Sequence, residues 1–574
     1  MAEPEERAGS DRAVAVIVAH GMGQQIPFET LDSVAQGLLE AERRRHGTAR
    51  ATPVTAAHVS LGGQRLARVA VTLRTRDGGT RTVHVYEAYW APFTEGQVGL
   101  RGVTGFLWRA GLNGFWNGLR PLQRWMFGSF HAFDPPIRTL VFIVTALAAV
   151  AALVVMNAAI LAVAARSSLF AAPGTWPSDA LRSDLATVFS AVLAGMGAFV
   201  AALMLNKFGT AAFRRVGGVL AVTTFVMVVA VTVVAGVAIP ALVLVHRGAR
   251  DPVFGTALTL WTARVASALV VLGVVGTLVL VVARVLPRAW REWRRSRAWF
   301  SLAVTLLFGA LVALLVLEIV YFAKMGAVAP PPGAGASGVG LLLYGASRAA
   351  VIWLLLVVAS AIVRSFLVQY VGDVAVYVES QTLDRYFQVR DRIKRSVRDT
   401  ARAVYGAPGA ATARFAYEAV FLVGHSLGSV VMYDTLNRLL WDDTTVPANE
   451  SLDVAGRTRL LLTFGSPLDK TAFFFTMQKK RGSSSLREML AATVQPIIED
   501  ARFRTFRWIN VYSAWDIISG RLDYYDLPDR SNPMPVANRR DPEATTFLWA
   551  HVEYWQSPLV YDALHGEIAG WPMA

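Results

Sequence analysis

The sequence contains no cysteine in 574 residues. This absence excludes a disulfide framework, a thiolate zinc site and a cysteine nucleophile. The residue spacings of common metal and phosphate sites are missing as well: there is no H-E-x-x-H, no EF-hand loop, and no Walker A or G-x-G-x-x-G motif between a strand and a helix. The sequence therefore predicts neither a metal nor another cofactor.

Charged residues are scarce, at 17% of the chain, while 54% of the residues are hydrophobic. This balance excludes a disordered protein. Residues 138–372 carry 18 basic and 5 acidic residues, so this most apolar part of the chain holds +13 of the net charge of +15. Such a distribution is typical of basic loops between membrane helices and not of a nucleic-acid-binding face. No nucleic-acid partner is predicted.

Long apolar runs account for most of the middle of the chain. Each exceeds the roughly 20 residues that a helix needs to cross a bilayer. They predict six transmembrane helices, at 139–165, 185–205, 216–245, 253–283, 298–323 and 338–363. Arg264, Glu318 and Arg348 fall within these runs near the expected outer interface, and we interpret them as structural and not as an ion pathway.

The distribution of arginine predicts an orientation for these helices. The loops 206–215 and 284–297 are the basic ones, and the positive-inside rule assigns them to the cytoplasm. With six spans, both flanking polar regions are then cytoplasmic too. No signal peptide is predicted, because residues 1–12 are polar and acidic. We expect a multi-pass integral protein of the plasma (inner) membrane, with cytoplasmic termini and a lipid bilayer as its partner.

The N-terminal region begins with an apolar, β-rich run over 13–19 that ends at the sequence His20-Gly21-Met22-Gly23. A helix over 28–45 is predicted next, followed by strands at 54–60, 66–75 and 80–90, with a hairpin turn at 76–79. Residues 100–130 are rich in Gly, Trp and Arg, including Trp108, Trp116 and Trp125. That composition favours an interfacial segment leading into the first span.

The C-terminal region carries the motif that points to chemistry. After a predicted helix over 381–405, the run 419–423 indicates a buried strand, and 429–440 has a helical period. Between strand and helix stands Gly424-His425-Ser426-Leu427-Gly428, a G-x-S-x-G sequence. Its two glycines allow a sharp turn that would lift the Ser426 hydroxyl off the sheet edge. We interpret Ser426 as a nucleophile.

These features resemble the α/β-hydrolase superfamily, and within it the lipase and serine-esterase type. The resemblance covers 1–95 and 373–574 and rests on the loop His20–Gly23, on Gly424–Gly428, and on residue order. It implies a mostly parallel sheet with flanking helices, in which an acid and a histidine follow the serine along the chain. The fold expected for the whole chain is therefore an α/β-hydrolase domain split by an all-α bundle of six transmembrane helices.

Two residues are candidates for the acid that the resemblance implies. Asp469 follows the predicted strand 459–464, and Asp516 follows the predicted strand 506–512. The family more often places its acid after the second of these strands, so Asp516 is preferred and Asp469 is the alternative.

Two histidines follow both acids. His551 comes directly after the β-rich run 545–549 and is preferred over His565, which lies in a predicted helix. His425 lies inside the elbow and is interpreted as structural. Since two N–H groups must meet an oxyanion, we expect one from Leu427 and, by family analogy, one from Met22. His20, Gly21, Gly23, Gly424 and Gly428 would support the two loops.

The expected organisation is a hydrolase domain in two parts, 1–95 and 373–574, with an interfacial segment at 96–137 and a membrane segment at 138–372. The expected function is hydrolysis of a lipid or other acyl ester at the cytoplasmic membrane face through an acyl-enzyme. Two alternatives stay open: a transporter or channel with a hydrolase-like regulatory domain, and an inactive hydrolase-fold scaffold.

Overall fold

The structure is a computed structural model. The described residues are 13–21, 25–47, 54–93, 122–133, 201–202, 204–206, 217, 220, 385–409, 413–477, 485–546 and 549–570. The chain divides into two compact units, the first formed by 1–106, 120–142 and 369–574 and the second by 107–119 and 143–368. Nearly all described residues belong to the first unit.

The first unit is organised around a mixed sheet of eight strands. The strand order is β10-β9-β8-β7-β1-β4-β3-β2. From β10 to β4 the neighbours run parallel, and only β3 and β2 join by antiparallel pairing at one edge. The strands are β1 (Val14–Ala19), β2 (Val54–Leu61), β3 (Gln64–Arg74), β4 (Thr80–Ala88), β7 (Val420–His425), β8 (Thr458–Phe464), β9 (Arg507–Tyr512) and β10 (Ala537–Arg540). A separate hairpin consists of β5 (Leu122–Met126) and β6 (Ser129–Phe133).

Helices cover both faces of the sheet. They are α1 (Glu29–His46), α2 (Arg385–Tyr405), α3 (Leu427–Thr445), α4 (Val454–Arg457), α5 (Leu468–Met477), α6 (Ser485–Thr493), α7 (Pro496–Glu499), α8 (Ala550–Glu553) and α9 (Pro558–Ala569). Short 3-10 turns occupy Ala91–Phe93, Ala501–Phe503, Asp523–Tyr525 and Tyr554–Gln556.

The central strands are apolar on both faces because both faces are buried. Every residue of β1 is buried, in the sequence VAVIVA, and so is every residue of β7. Val14, Val16 and Val18 share one core with apolar side chains of α1 and α9. Since successive side chains of a strand alternate, the intervening residues of β1 face the opposite side, where α2 and α3 pack.

The parallel strands bring several loops to one edge of the sheet. Ala19 of β1 pairs with Ala88 of β4 on one side and with Gly424 of β7 on the other, so these strands end level with one another. The next pairs outward, Gly424 with Thr463 and Phe464 with Val511, continue the same line. Ligands bind at the carboxyl edge of parallel sheets. The chain segments leaving β1, β4, β7, β8 and β9 all start at this edge.

Within the described residues, no helix is long and apolar enough to cross a bilayer. On this finding the membrane predictions are wrong. A span needs about 20 apolar residues in one helix. The longest described helix, α2, has 21 residues, and nine of them are charged (RYFQVRDRIKRSVRDTARAVY). This corrects the six-helix transmembrane bundle and, with it, the assignment as a multi-pass integral membrane protein of the plasma membrane. All but a few residues of the six predicted segments lie outside the described residues, as do Arg264, Glu318 and Arg348.

Two local predictions also differ from the structure. Part of the segment that was interpreted as interfacial forms the β5–β6 hairpin, which packs on α6 and α7. Trp108 and Trp116 lie outside the described residues. The run 545–549 does not form a strand in its described residues, and His551 lies instead in the four-residue helix α8. Aromatic and β-branched composition favours a strand, but α8 has only one turn and gives no periodic signal against it.

Candidate functional site

The turn between β7 and α3 is backbone-strained and tightly enclosed. Ser426 has φ 52° and ψ −129°, a region that non-glycine residues rarely adopt. A Cβ at Gly424 would lie 2.5 Å from the Cα of Ser429, and a Cβ at Gly428 would lie 2.2 Å from the carbonyl oxygen of His20. Both glycines are therefore required by close backbone approaches. Strain of this kind clusters at functional sites, where the surrounding structure holds it in place.

Three predicted residues meet in one hydrogen-bonded series. The Ser426 hydroxyl donates to His551 Nε2 at 2.8 Å, and His551 Nδ1–H donates to Asp516 Oδ2 at 3.0 Å. All three side chains are buried. They come from the ends of β7 and β9 and from α8, so residues 35 to 125 positions apart along the chain converge at the carboxyl edge of the sheet.

Asp516 is held ionised by its surroundings. Burial on its own raises the pKa of a carboxyl group. The charge and hydrogen bond of His551, with hydrogen bonds from Ile518 N–H and Ser519, outweigh burial and lower the pKa of Asp516 to about 2. The Ile518 N–H donates to Oδ1 at 2.8 Å, while His551 donates to Oδ2. A fixed carboxylate of this kind orients an imidazole and stabilises its protonated form.

Tyr554 is a second donor to the oxygen that binds His551. Its hydroxyl donates to Asp516 Oδ2 at 3.1 Å and accepts from the Ser513 N–H at 2.7 Å. The side chain is fully buried. The sequence interpretation missed this residue. The available signal was its position three residues after His551, a spacing that places two side chains on the same face of a helical turn.

His425 contacts the backbone of His551 and not the serine hydroxyl. Its Nε2–H donates to the backbone oxygen of His551 at 2.9 Å, and the two rings lie 5.1 Å apart. Burial, together with the nearby His551, lowers the pKa of His425 to about 3, so its ring is neutral. A neutral ring adds no positive charge beside the imidazole of His551.

The loop after β1 is fixed at its start by His20. The ring Nδ1–H donates to the Gly21 oxygen at 2.8 Å, and Nε2 accepts from the backbone N–H groups of Trp90 and Ala91 at 3.0 and 3.3 Å. Burial lowers the pKa of His20 to about 4, which keeps Nε2 free to accept. A Cβ on Gly21 would lie 2.8 Å from the Cβ of Ser426, so the loop passes directly beside the elbow.

The same loop is also fixed where it enters α1. The Tyr89 hydroxyl donates to the Gln25 oxygen at 2.8 Å, and Glu87 Oε2 accepts the Phe28 N–H at 2.9 Å. Burial raises the pKa of Glu87 to about 7. Both ends of the segment 22–24 are thus attached to the end of β4. Met22 and Gly23 lie outside the described residues.

Leu427 is the first residue of α3 and directly follows the serine. The first N–H groups of a helix have no partner within the helix, and the helix dipole makes this end electropositive. The start of α3 can therefore donate to a negative oxygen beside Ser426. This is the position that was predicted for Leu427.

The alternative residues lie elsewhere. Both oxygens of Asp469 are 3.2 Å from Lys470 Nζ in a buried ion pair, whereas the carboxylate hydrogen-bonded to His551 Nδ1 is that of Asp516. His565 Nε2 lies 2.8 Å from Glu42 Oε2, between α9 and α1. The structure thus brings Asp516 and His551, and neither Asp469 nor His565, to Ser426.

Within the described part of the chain, no group of three or more His, Asp or Glu side chains could hold a metal ion. No protein-family model, curated protein or solved structure matches this chain. The chemistry of the site is therefore argued from its own geometry.

Proposed function

We propose that the protein is a serine hydrolase of the α/β-hydrolase type that cleaves acyl esters through an acyl-enzyme on Ser426. The observation that carries the proposal is the continuous hydrogen bonding from the Ser426 hydroxyl through His551 to Asp516. The strained elbow and the glycines packed around it support the same conclusion, since both place the Ser426 hydroxyl at the carboxyl edge of the sheet.

Each residue has a defined task in this reaction. His551 Nε2 takes the hydroxyl proton while Ser426 Oγ bonds to the acyl carbon, and Asp516 stabilises the imidazolium that forms. The carbonyl oxygen becomes negative and meets the N–H of Leu427 at the start of α3. The ester C–O bond then breaks, and the departing alkoxide takes the proton from His551. Water, deprotonated by the same imidazole, releases the acid and restores the Ser426 hydroxyl.

An apolar acyl or alcohol group is the favoured substrate class. Large apolar side chains are exposed on both segments that flank the serine. Ile26 and Phe28 are 68% and 53% exposed beyond the loop after β1, and Trp549 and Val552 are 51% and 44% exposed on either side of His551. Exposed apolar groups on both sides of a site are typical of surfaces that bind apolar ligands.

Labelling with a fluorophosphonate tests the proposal without a choice of substrate. The probe phosphonylates only a serine that an adjacent base activates. Wild type should be labelled at a single site, Ser426→Ala should not be labelled, and Ser451→Ala, which changes a serine far from the site, should be labelled like wild type. Failure of wild type to react with the probe, or labelling that survives in Ser426→Ala, would reject the proposed function.

Replacing Tyr554 by Phe should change the pH dependence of the reaction as well as its rate. Without the phenol, Asp516 Oδ2 loses one donor and its charge stabilises the His551 imidazolium more strongly, so the acidic limb of the kcat/KM profile should move to higher pH. The phenol takes part in three hydrogen bonds, with Asp516, the Ser513 N–H and the Ser519 hydroxyl, and loss of the one to Asp516, worth about 1 kcal/mol, corresponds to about a fivefold fall in kcat/KM. Tyr561→Phe, on α9, is the matched control. A lower rate with an unmoved limb would mean that Tyr554 is only part of the packing.

A further inference from the structure

A second concave site lies at the opposite end of α3 from the serine. A groove of about 550 Å³ is formed between the turn of the β5–β6 hairpin, the end of α3 and the segment 496–503. Trp441 stands 15 residues after Ser426, which corresponds to about 22 Å along the helix axis. The groove is therefore separate from the proposed catalytic site.

Four aromatic rings line this groove. They are Trp125 and Phe127 from the hairpin, Trp441 from α3, and Phe503. Trp441 is 37% exposed, and the other three side chains are half-buried, so their surfaces are accessible from the groove. The hairpin is held in place by Arg124, a buried residue whose guanidinium donates to Gln495 Oε1 at 2.9 Å and to the Tyr524 oxygen at 3.3 Å.

Phe127 occupies the groove at a conformational cost. It has φ 47° and precedes Gly128 with φ 88° in the two-residue turn of the hairpin. Asn or Asp usually precedes glycine in such turns, because a bulky side chain is disfavoured at positive φ. The Phe127 N–H donates to the Ile498 oxygen at 2.8 Å, which ties the turn to α7. An aromatic ring kept where the backbone disfavours it indicates a role for that ring.

The two carboxylates at this groove differ in the partners that the described residues give them. The two lining acids are Glu499 and Asp500. Asp500 is paired with Arg502 and accepts the Arg502 N–H at 3.0 Å. Glu499 is half-buried, and among the described residues its carboxylate has no hydrogen-bond or ion-pair partner. Burial, with Asp500 nearby, raises the pKa of Glu499.

We propose that this groove binds a quaternary ammonium group, which would lie against the aromatic rings beside Glu499. Cations are attracted to the faces of aromatic rings, and a quaternary ammonium is the ion that such aromatic sites typically bind. The carboxylate supplies the opposite charge. Together they recognise a cation that is large, apolar on its surface and positively charged.

Hydration disfavours a primary ammonium in this groove. Thr444 Oγ1 donates to the Trp441 oxygen and Thr493 Oγ1 to the Leu490 oxygen, both at 2.7 Å, so both hydroxyl protons are used within their own helices. A primary ammonium has three N–H donors that would lose water on entry. Each of these hydrogen bonds must be recovered from an acceptor at a set position, whereas a trimethylammonium needs none and still gains the attraction of the aromatic faces.

Calorimetric titration of the full chain with three probes of similar size tests this proposal. Choline carries the trimethylammonium group, 3,3-dimethylbutan-1-ol is its neutral analogue of the same shape, and ethanolamine carries a primary ammonium. Choline should bind at one saturable site. The neutral analogue lacks the charge and ethanolamine loses its water on entry, so each should bind with a Kd at least about tenfold higher. Ser426→Ala should bind choline like wild type, because the groove does not depend on the serine.

Two variants of the groove should weaken choline binding. Glu499→Gln keeps the shape and removes the charge, and Trp441→Leu removes one ring; each should raise the Kd by about tenfold. Glu450→Gln, which changes an exposed carboxylate on the segment after α3, is the matched control and should leave the Kd unchanged. Equal binding of the neutral analogue, an unchanged Kd in Glu499→Gln, or no saturable binding of choline by wild type would each overturn the proposal. Thermal unfolding of each variant checks that the fold is intact.

Discussion

Replacing either Ser426 or His551 by alanine is expected to lower kcat for ester hydrolysis by about 10⁴–10⁶-fold. The two losses should be similar in size, because the serine hydroxyl is a poor nucleophile until a neighbouring base removes its proton. That base is His551, whose Nε2 lies 2.8 Å from the hydroxyl oxygen. The double variant should be no slower than either single variant. Measurement of kcat with an activated ester, such as a p-nitrophenyl acyl ester, gives the three values directly.

The two acids provide an internal control for this result. Asp516→Asn keeps the shape of the side chain but removes the charge that faces His551 Nδ1, so kcat should fall by about 10⁴-fold. Asp469→Asn changes the buried pair with Lys470 and should affect unfolding much more than the chemical step. Full activity in Asp516→Asn together with loss of activity in Asp469→Asn would reverse the assignment of the acid.

The strands near the site could be predicted because their sequences leave little choice. β1 and β7 are short apolar runs that end in glycine-containing turns, and β2, β3 and β4 begin and end within a few residues of the predicted bounds. β10 could not be predicted in the same way. Its sequence is ANRR, it lies at the edge of the sheet, and Asn538 accepts a hydrogen bond from Asn510 at 2.9 Å. A polar edge strand of four residues carries no apolar pattern.

The three hydrogen-bonded residues of the candidate site could be named from the sequence, whereas the groups that hold them in place could not. Ser426 was identified from its motif, whereas the preference for Asp516 over Asp469 came from the order of residues in a resembling family. Tyr554 was not identified as a partner of Asp516. Its position three residues after His551 places it beside the histidine, but its contact with an acid 38 positions away leaves no local pattern. The membrane interpretation rested on apolar content. Apolar content measures how much nonpolar side chain a segment carries, and it does not by itself establish a helix that spans a bilayer.

The second large effect concerns stability and arises at Gly428. A Cβ there would lie 2.2 Å from the His20 oxygen and 2.3 Å from the Ala19 oxygen, both of which belong to backbone that cannot rotate away. Gly428→Ala must therefore push α3 away from the end of β1, and we expect it to lower the free energy of unfolding by about 3–5 kcal/mol.

Gly63→Ala is the matched control for that loss. Gly63 has φ 77°, and nothing lies within 4 Å of a Cβ built there, so the substitution has only the cost of a left-handed backbone, about 1 kcal/mol. Urea unfolding of the two variants beside wild type compares a steric clash with conformational cost in the same protein. Because the displaced helix start carries Leu427, fluorophosphonate labelling should also fall in Gly428→Ala and stay normal in Gly63→Ala. If Gly428→Ala unfolds at the same urea concentration as Gly63→Ala, the close approach of α3 to β1 is not as described, and the elbow is held in some other way.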